Sequence, residues 1–131
     1  MSQTIDTNVM VYALTEGHKA ERARVVVATA SFVSVQLLNE LVNVARKKLR
    51  LDWSAAGLLS NKVREAVGAV LPISESDHVE ALRLGARYRL SYYDALMLAV
   101  AITGGAHTIY SEDMQHDLVI DDTLRITDPF R

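Results

Sequence analysis

The chain has 131 residues, half of them hydrophobic and under a quarter charged, with a formal net charge of −2. That length predicts one domain over residues 1–131, able to bury roughly two-thirds of its unfolded surface, and the composition excludes a disordered chain. The absence of cysteine removes disulfides, thiolate zinc sites and cysteine nucleophiles together, and the near-neutral charge leaves any nucleic-acid binding to a local basic patch or to bound metal ions.

No apolar run reaches the ~18 residues of a membrane span. The opening Met-Ser-Gln-Thr-Ile-Asp lacks a basic region followed by an apolar stretch, so no secretory signal is expected. A cytoplasmic protein without a membrane partner is the economical reading.

The elements follow in chain order. Residues 3–5 form a short strand that ends at Asp6-Thr7-Asn8, and Asp6 or Asn8 caps a helix over residues 9–14. A turn at Glu16-Gly17-His18 leads to a helix over 19–29, with Ala20, Ala23, Val26 and Val27 at core spacing. Residues 31–34 are a second strand. The helix over 36–49 turns Leu37, Leu38, Leu41, Val44, Ala45 and Leu49 inward. Asp52 or Ser54 starts another helix, to about residue 67. Val70 and Leu71 make a third strand, and Ser74 or Ser76 caps a helix to about residue 89. Ser91 caps the next helix, which Gly104-Gly105 ends. Residues 107–110 are a fourth strand, and residues 124–127 a fifth, at the sheet edge. Short strands separated by helices predict a mostly parallel sheet covered on both faces, an α/β/α sandwich.

Two carboxylates sit where apolar residues are expected. From Leu90 to Ser111, Asp94 is the only formal charge, with His107 neutral, and it opens a helix apolar nearly all round. An isolated buried charge is very costly, so Asp94 needs a partner, a proton or a metal. Ser91-x-x-Asp94 also fits a capping box, which prefers Glu or Gln, and the helix dipole suits an early carboxylate. Glu40 shares part of the face of Leu37 and Val44, where a boundary residue reaching water is the ordinary alternative.

Ligand sites of parallel sheets lie at the carboxyl ends of the strands. That rule gathers Asp6, Glu40, Asp94 and Asp113. Clustered like charges raise one another's pKa, and a bound cation removes the conflict. Oxygen donors without cysteine or a histidine pair favour Mg²⁺ or Mn²⁺. Such a site suits hydrolysis of a phosphodiester by an ion-activated water.

These residues resemble the motifs of PIN-domain ribonucleases. Asp6-Thr7-Asn8-Val9 is similar to the family's opening motif, and Ser34-Val-Gln-Leu-Leu-Asn-Glu40-Leu-Val to the segment with its helical glutamate. Tyr93-Asp94-Ala-Leu and Tyr110-Ser111-Glu112-Asp113-Met-Gln-His116 resemble its third and fourth acidic motifs. The closing Asp128-Pro129-Phe130 resembles the tail of the VapC-like toxin branch. The four motifs run in order along essentially the whole chain. The resemblance implies a metal-dependent, single-strand-selective endoribonuclease, a toxin occluded by a cognate antitoxin protein and commonly a homodimer. It implies that Asp6, Asp94 and Asp113 hold Mg²⁺ or Mn²⁺, that Glu40 acts through the ion or its water, and that Asn8 and Ser111 orient the carboxylates. No protein nucleophile is required.

Asp117 and Asp121-Asp122 stand where such relatives often have glycine; Asp tolerates turn geometry less freely, and Asp117 is read as surface. The choice of Asp113 over Glu112 rests on the motif. The basic run Arg46, Lys47, Lys48 and Arg50 reads as a solvated helix end, with phosphate contact the alternative. Tyr92 and Tyr93 could stack on a base, but Tyr93 reads as core. The histidines show no metal spacing. A non-catalytic PIN-like RNA-binding or protein-interaction module and a small-molecule phosphatase remain rival readings.

Overall fold

The computed structural model describes residues 2–131, so Met1, the first residue of the segment read for a leader, lies outside it. The elements run β1 Gln3–Ile5, α1 Thr7–Leu14, α2 Ala20–Thr29, β2 Val33–Ser34, α3 Val35–Lys47, α4 Trp53–Ala66, β3 Val70–Leu71, α5 Glu75–Tyr88, α6 Tyr92–Thr103, β4 Thr108–Tyr110, β5 Val119–Ile120 and β6 Leu124–Thr127. They build a three-layer α/β/α sandwich on a mostly parallel sheet.

Side-chain caps decide where most helices begin. Ser34, Asp52, Ser74 and Ser91 each accept the backbone N–H three residues on, which satisfies a donor the helix leaves open. Asp6 caps α1 by accepting from its immediate neighbour. The helices pack chiefly as neighbours in sequence, α1 on α2, α3 on α4 and α5 on α6.

The main sheet has the order β1-β4-β6-β5. β1, β4 and β6 are parallel, with Ile5 opposite Tyr110 and Tyr110 opposite Thr127. β2 and β3 form a separate parallel pair. It joins the first strand through the Ser31 N–H donating to the Gln3 carbonyl at 2.8 Å and the Thr4 hydroxyl donating to the Phe32 carbonyl at 2.6 Å. Ile5, Ile109, Leu124 and Ile126 are fully buried in the sheet, against α6, in which every residue from 95 to 101 is buried. That accounts for the nearly uninterrupted apolar composition of α6.

Three expectations are corrected. β6 is not the edge strand: β5, too short to show a period of two, returns through a tight turn and pairs with it antiparallel, Ile120 opposite Leu124. Tyr93 is not core but 60% exposed, and Leu49 is also exposed because α3 ends at Lys47 and Leu49 leaves its inward stripe. Asp117, Asp121 and Asp122 take φ values of 67°, 49° and 59°. Asp is among the few residues that enter this left-handed region readily, so the fold keeps glycine-type turns without glycine. The Asp121 carboxylate pairs with Arg83, and its N–H donates to the Tyr88 hydroxyl at 3.0 Å, which ties the β5–β6 turn to α5.

Gly104 and Gly105 end α6 for different reasons. A Cβ at Gly104 would lie 2.5 Å from both Phe32 Cζ and Leu71 Cδ1, whereas Gly105 has open space but a φ of 79°. Gly104→Ala should therefore cost about 2–3 kcal/mol through overpacking, and Gly105→Ala about 1–2 kcal/mol through backbone strain alone. Urea unfolding of the two variants tests that order; equal losses would contradict it.

Candidate functional site

β1 ends at Asp6 because its side chain is needed as the cap of α1. Asp6 is 5% exposed. Its Oδ1 accepts from the Thr7 N–H at 2.8 Å, and its Oδ2 accepts from the Ser111 hydroxyl at 2.8 Å. Ser111 follows β4, and its N–H donates to the Thr127 carbonyl at 3.0 Å. The parallel register of β1, β4 and β6 thus sets Ser111 beside Asp6.

Asn8 bridges the first and last acids. Its Nδ2 donates to Asp113 Oδ2 at 3.1 Å and to Asp6 Oδ2 at 3.4 Å, while its Oδ1 accepts from the Glu112 N–H at 3.2 Å. Glu112 is held apart from this group. Lys19 pairs with its carboxylate, and the Tyr12 hydroxyl donates to it at 2.6 Å. The Lys19 ammonium also lies over the Tyr12 and Phe130 rings, 5.0 and 5.5 Å from their centroids. With Lys19 as the main cause, the Glu112 carboxyl is held below its ordinary value.

Glu40 comes from α3, one and a half turns after the Ser34 cap. Its Oε1 accepts from the Thr7 hydroxyl at 3.0 Å, so its carboxyl faces the sheet and not the solvent side of the helix. Asp94 comes from the first turn of α6. Its N–H donates to the Ser91 Oγ at 3.3 Å. Among the described residues no bond runs from the Ser91 N–H back to the Asp94 carboxylate, in contrast to α5, where Ser74 and Asp77 close the reciprocal box. The cap is therefore made by Ser91 and the Asp94 backbone; the Ser91 side chain also favours the charged Asp94 carboxyl, against the larger effect of burial.

Asp6, Glu40, Asp94 and Asp113 line one open cleft of about 530 Å³, together with Thr7, Asn8, Val11, Tyr12, Asn43, Val44 and Lys48. All four predicted acids are brought together, and Asn8 and Ser111 bond to them. Asp117 is outside the cleft, beside His116 and Arg125. The sequence offered no role for Thr7 or Lys19, and it placed Lys48 in a solvated helix end, with phosphate contact as the alternative; the structure sets Lys48 on the cleft. Lys48 had a legible signal, since it lies eight residues, just over two turns, after Glu40.

The acids strain one another. Burial raises the Asp6 carboxyl to about 6, with Glu40 and Asp94 adding repulsion against the opposing hydrogen bonds from Ser111 and Thr7. Burial, aided by Asp94, also raises Glu40, and burial, aided by Asp113, raises Asp94. Among the described residues no lysine, arginine or histidine forms an ion pair with any of the four. No three acidic or histidine side chains there are already closed around one point as ligands of a single ion. The donor set is nonetheless that of a hard cation: carboxylate oxygens, from a buried Asp6, half-buried Glu40 and Asp94 and an exposed Asp113, of like charge and, among the described residues, without an ion-paired protein counter-charge.

The PIN domain family model matches residues 4–119. No curated relative matches the chain significantly in sequence. Several solved structures share its fold. A toxin–antitoxin complex from Klebsiella pneumoniae superimposes with a TM-score of 0.72 at 16% identity, covering 98% of each chain. VapBC-1 from nontypeable Haemophilus influenzae gives 0.71 at 18% identity over 100% of each chain. VapC20 of Mycobacterium tuberculosis, described as a toxin cleaving the sarcin–ricin loop, gives 0.69 at 16% identity over 86% of this chain and 92% of its own.

Asp6 makes the acidic site a measurable burden on the fold. Its folded value of about 6 lies above the ordinary 3.8, so the fold keeps a proton that the unfolded chain has lost. The stability from this group is present below about pH 4 and is lost as pH rises through about 6. In EDTA at pH 7, Asp6→Asn should be more stable than wild type by up to about 3 kcal/mol, with the difference closing towards pH 4. Thermal unfolding across this range tests the sign; an Asp6→Asn protein less stable at pH 7 would contradict it.

Proposed function

The chain belongs to the PIN domain family, and from that membership and the acidic cleft we propose that it is a metal-dependent endoribonuclease, the toxin of a toxin–antitoxin pair. The single observation that carries the chemistry is the set of Asp6, Glu40, Asp94 and Asp113 on one cleft, none of them ion-paired among the described residues. Four such carboxyls destabilise the fold unless a cation is present, and evolution has no structural use for that cost. The fold shared with toxin–antitoxin complexes supports the toxin reading. A cognate antitoxin, an RNA substrate, a homodimer and a cytoplasmic location complete the proposal. The whole chain, 1–131, is read as the one catalytic domain. No helix among the described residues is long and apolar enough to cross a membrane.

Asp6, Asp94 and Asp113 would hold the ion. When bound, Mg²⁺ or Mn²⁺ supplies polarisation of the phosphoryl oxygens and lowers the pKa of water at the site. The protein's own groups do the rest. Ser111 and the Thr7 N–H fix both oxygens of Asp6. Asn8 holds Asp113 and Asp6 in one orientation, as outer partners of ligands do. Glu40, steadied at Oε1 by the Thr7 hydroxyl, accepts a proton from the attacking water; its raised carboxyl makes it a better base than a solvated glutamate. Lys19 keeps Glu112 neutralised outside the cleft.

Purified protein should cleave single-stranded RNA with Mg²⁺ or Mn²⁺ and lose that activity in EDTA. Asp94→Asn and Asp113→Asn should each lower the rate on the order of a hundredfold or more, while circular dichroism shows an intact fold, since Ser91 still caps α6. Glu112→Gln should keep activity within about tenfold. Cleavage that survives both EDTA and Asp94→Asn would overturn the proposal, and a Glu112→Gln loss equal to that of Asp113→Asn would overturn the choice between those two acids.

A further inference from the structure

α3 and its C-cap residue Lys48, whose backbone is still helical, present one stripe to the acidic cleft: Glu40, Asn43, Val44 and Lys48 all line it, at the i, i+3, i+4, i+8 spacing of one helix face. Glu40 and Lys48 are therefore about 12 Å apart along the helix, at ~1.5 Å per residue. One end of the stripe carries a carboxyl of the acidic floor, and the other carries an ammonium at the rim.

The basic run that ends α3 divides by direction. Arg46 is committed to the fold: its Nη1 donates to the Leu51 carbonyl at 2.9 Å, and its guanidinium lies 4.4 Å from the Trp53 ring centroid. This fastens the α3–α4 connection. Lys48 is exposed and, among the described residues, has neither an ion pair nor a side-chain hydrogen bond. Among the described residues it is the one lysine or arginine that lines the cleft, and it forms no ion pair with the acids there. A lysine left unpaired above four carboxylates would gain by bonding to one of them; that it stands at the opposite end of the stripe suits it to a second anion.

We propose that Lys48 contacts the substrate, its ammonium binding a phosphate that flanks the scissile one and lies farther along the strand. The inference rests on the ribonuclease reading above and deepens it. The acidic floor by itself repels a polyanion, and a cation placed one step away along the cleft sets both where the strand enters and its register over the floor. Asn43, between the two ends of the stripe, offers an uncharged donor and acceptor where a sugar or base would pass. A strand longer than one phosphate is required to reach both ends, so the proposal assigns an oligonucleotide and not a phosphate monoester.

The test uses full-length protein and a fluorescently labelled single-stranded RNA. Cleavage kinetics are followed with Mn²⁺ for wild type, Lys48→Gln and Lys48→Arg. RNA affinity is measured across a KCl series in the cleavage-deficient Asp94→Asn background, and Mn²⁺ affinity by electron paramagnetic resonance. Lys48→Gln should raise KM and Kd about threefold to tenfold, leave kcat and Mn²⁺ affinity within about twofold, and reduce the slope of log Kd against log[KCl] by ~0.7, the share of one phosphate contact on a single strand. Lys48→Arg should restore all three. Wild-type cleavage with an unchanged Kd and salt slope in Lys48→Gln overturns this inference and leaves the proposed function standing, as does a loss confined to kcat or Mn²⁺ affinity. Wild-type protein that neither cleaves nor binds the RNA overturns the proposed function and this inference with it.

Discussion

The functional end of the molecule depends on the burial of one ionisable carboxyl at the junction of β1 and α1. Asp6 must accept the Thr7 N–H to start α1, and the parallel register of β1 with β4 brings the Ser111 hydroxyl to its other oxygen. These bonds favour the charged form, burial opposes it, and burial is the larger effect. Glu40 and Asp94 then add charge of the same sign from α3 and α6. A proton relieves this at low pH, and near pH 7 a bound cation would relieve it for all of the carboxyls together. Preorganisation and instability would then be the same feature: the fold holds the carboxyls where they repel, and binding of the proposed cation would offset that cost.

The supporting groups show how the charge is kept where it is useful. Asp113 and Glu112 are adjacent, yet they meet opposite surroundings. Asn8 donates to Asp113 at the cleft, whereas Lys19 and Tyr12 take Glu112 towards the Phe130 ring. Both residues lie in the bend that follows β4, and their bonds to Lys19 and Asn8 carry the two side chains to different surroundings. The α6 terminus divides its duties in the same way. Ser91 caps through the Asp94 N–H, and the Asp94 carboxyl lines the cleft. A capping explanation and a functional one are therefore compatible at that residue.

Much of the fold was legible in the sequence because its signals are local. Ser34, Asp52, Ser74 and Ser91 mark helix starts by side-chain chemistry that acts over three residues, and the unbroken apolar run of α6 marks a helix buried on all sides. Asp6, Asp94 and Asp113 were legible because they follow strands or open a helix, which an alternating α/β order places at one end of the sheet, and Glu40 because it is a charge on the apolar face of α3. What was not legible depends on partners distant in sequence. Thr7 to Glu40 and Lys19 to Glu112 bridge 33 and 93 residues. β5 has two residues, too few for a periodicity, and its presence moves β6 inward. Tyr93 follows an apolar pattern but faces outward, because the first turn of α6 projects beyond the core that buries the rest of the helix. The left-handed aspartates show that a glycine-type turn can persist under other residues when a tie such as Asp121 to Arg83 supports it.

The central claim is that Asp6, Asp94 and Asp113 together hold a divalent cation. A crystal structure of the protein grown with Mn²⁺, with data collected at the manganese absorption edge, tests it most directly. The account predicts an anomalous peak within coordination distance of a carboxylate oxygen from each of the three, with Glu112 still paired to Lys19. A cleft without anomalous density at saturating Mn²⁺, or a peak bound elsewhere on the molecule, would contradict it.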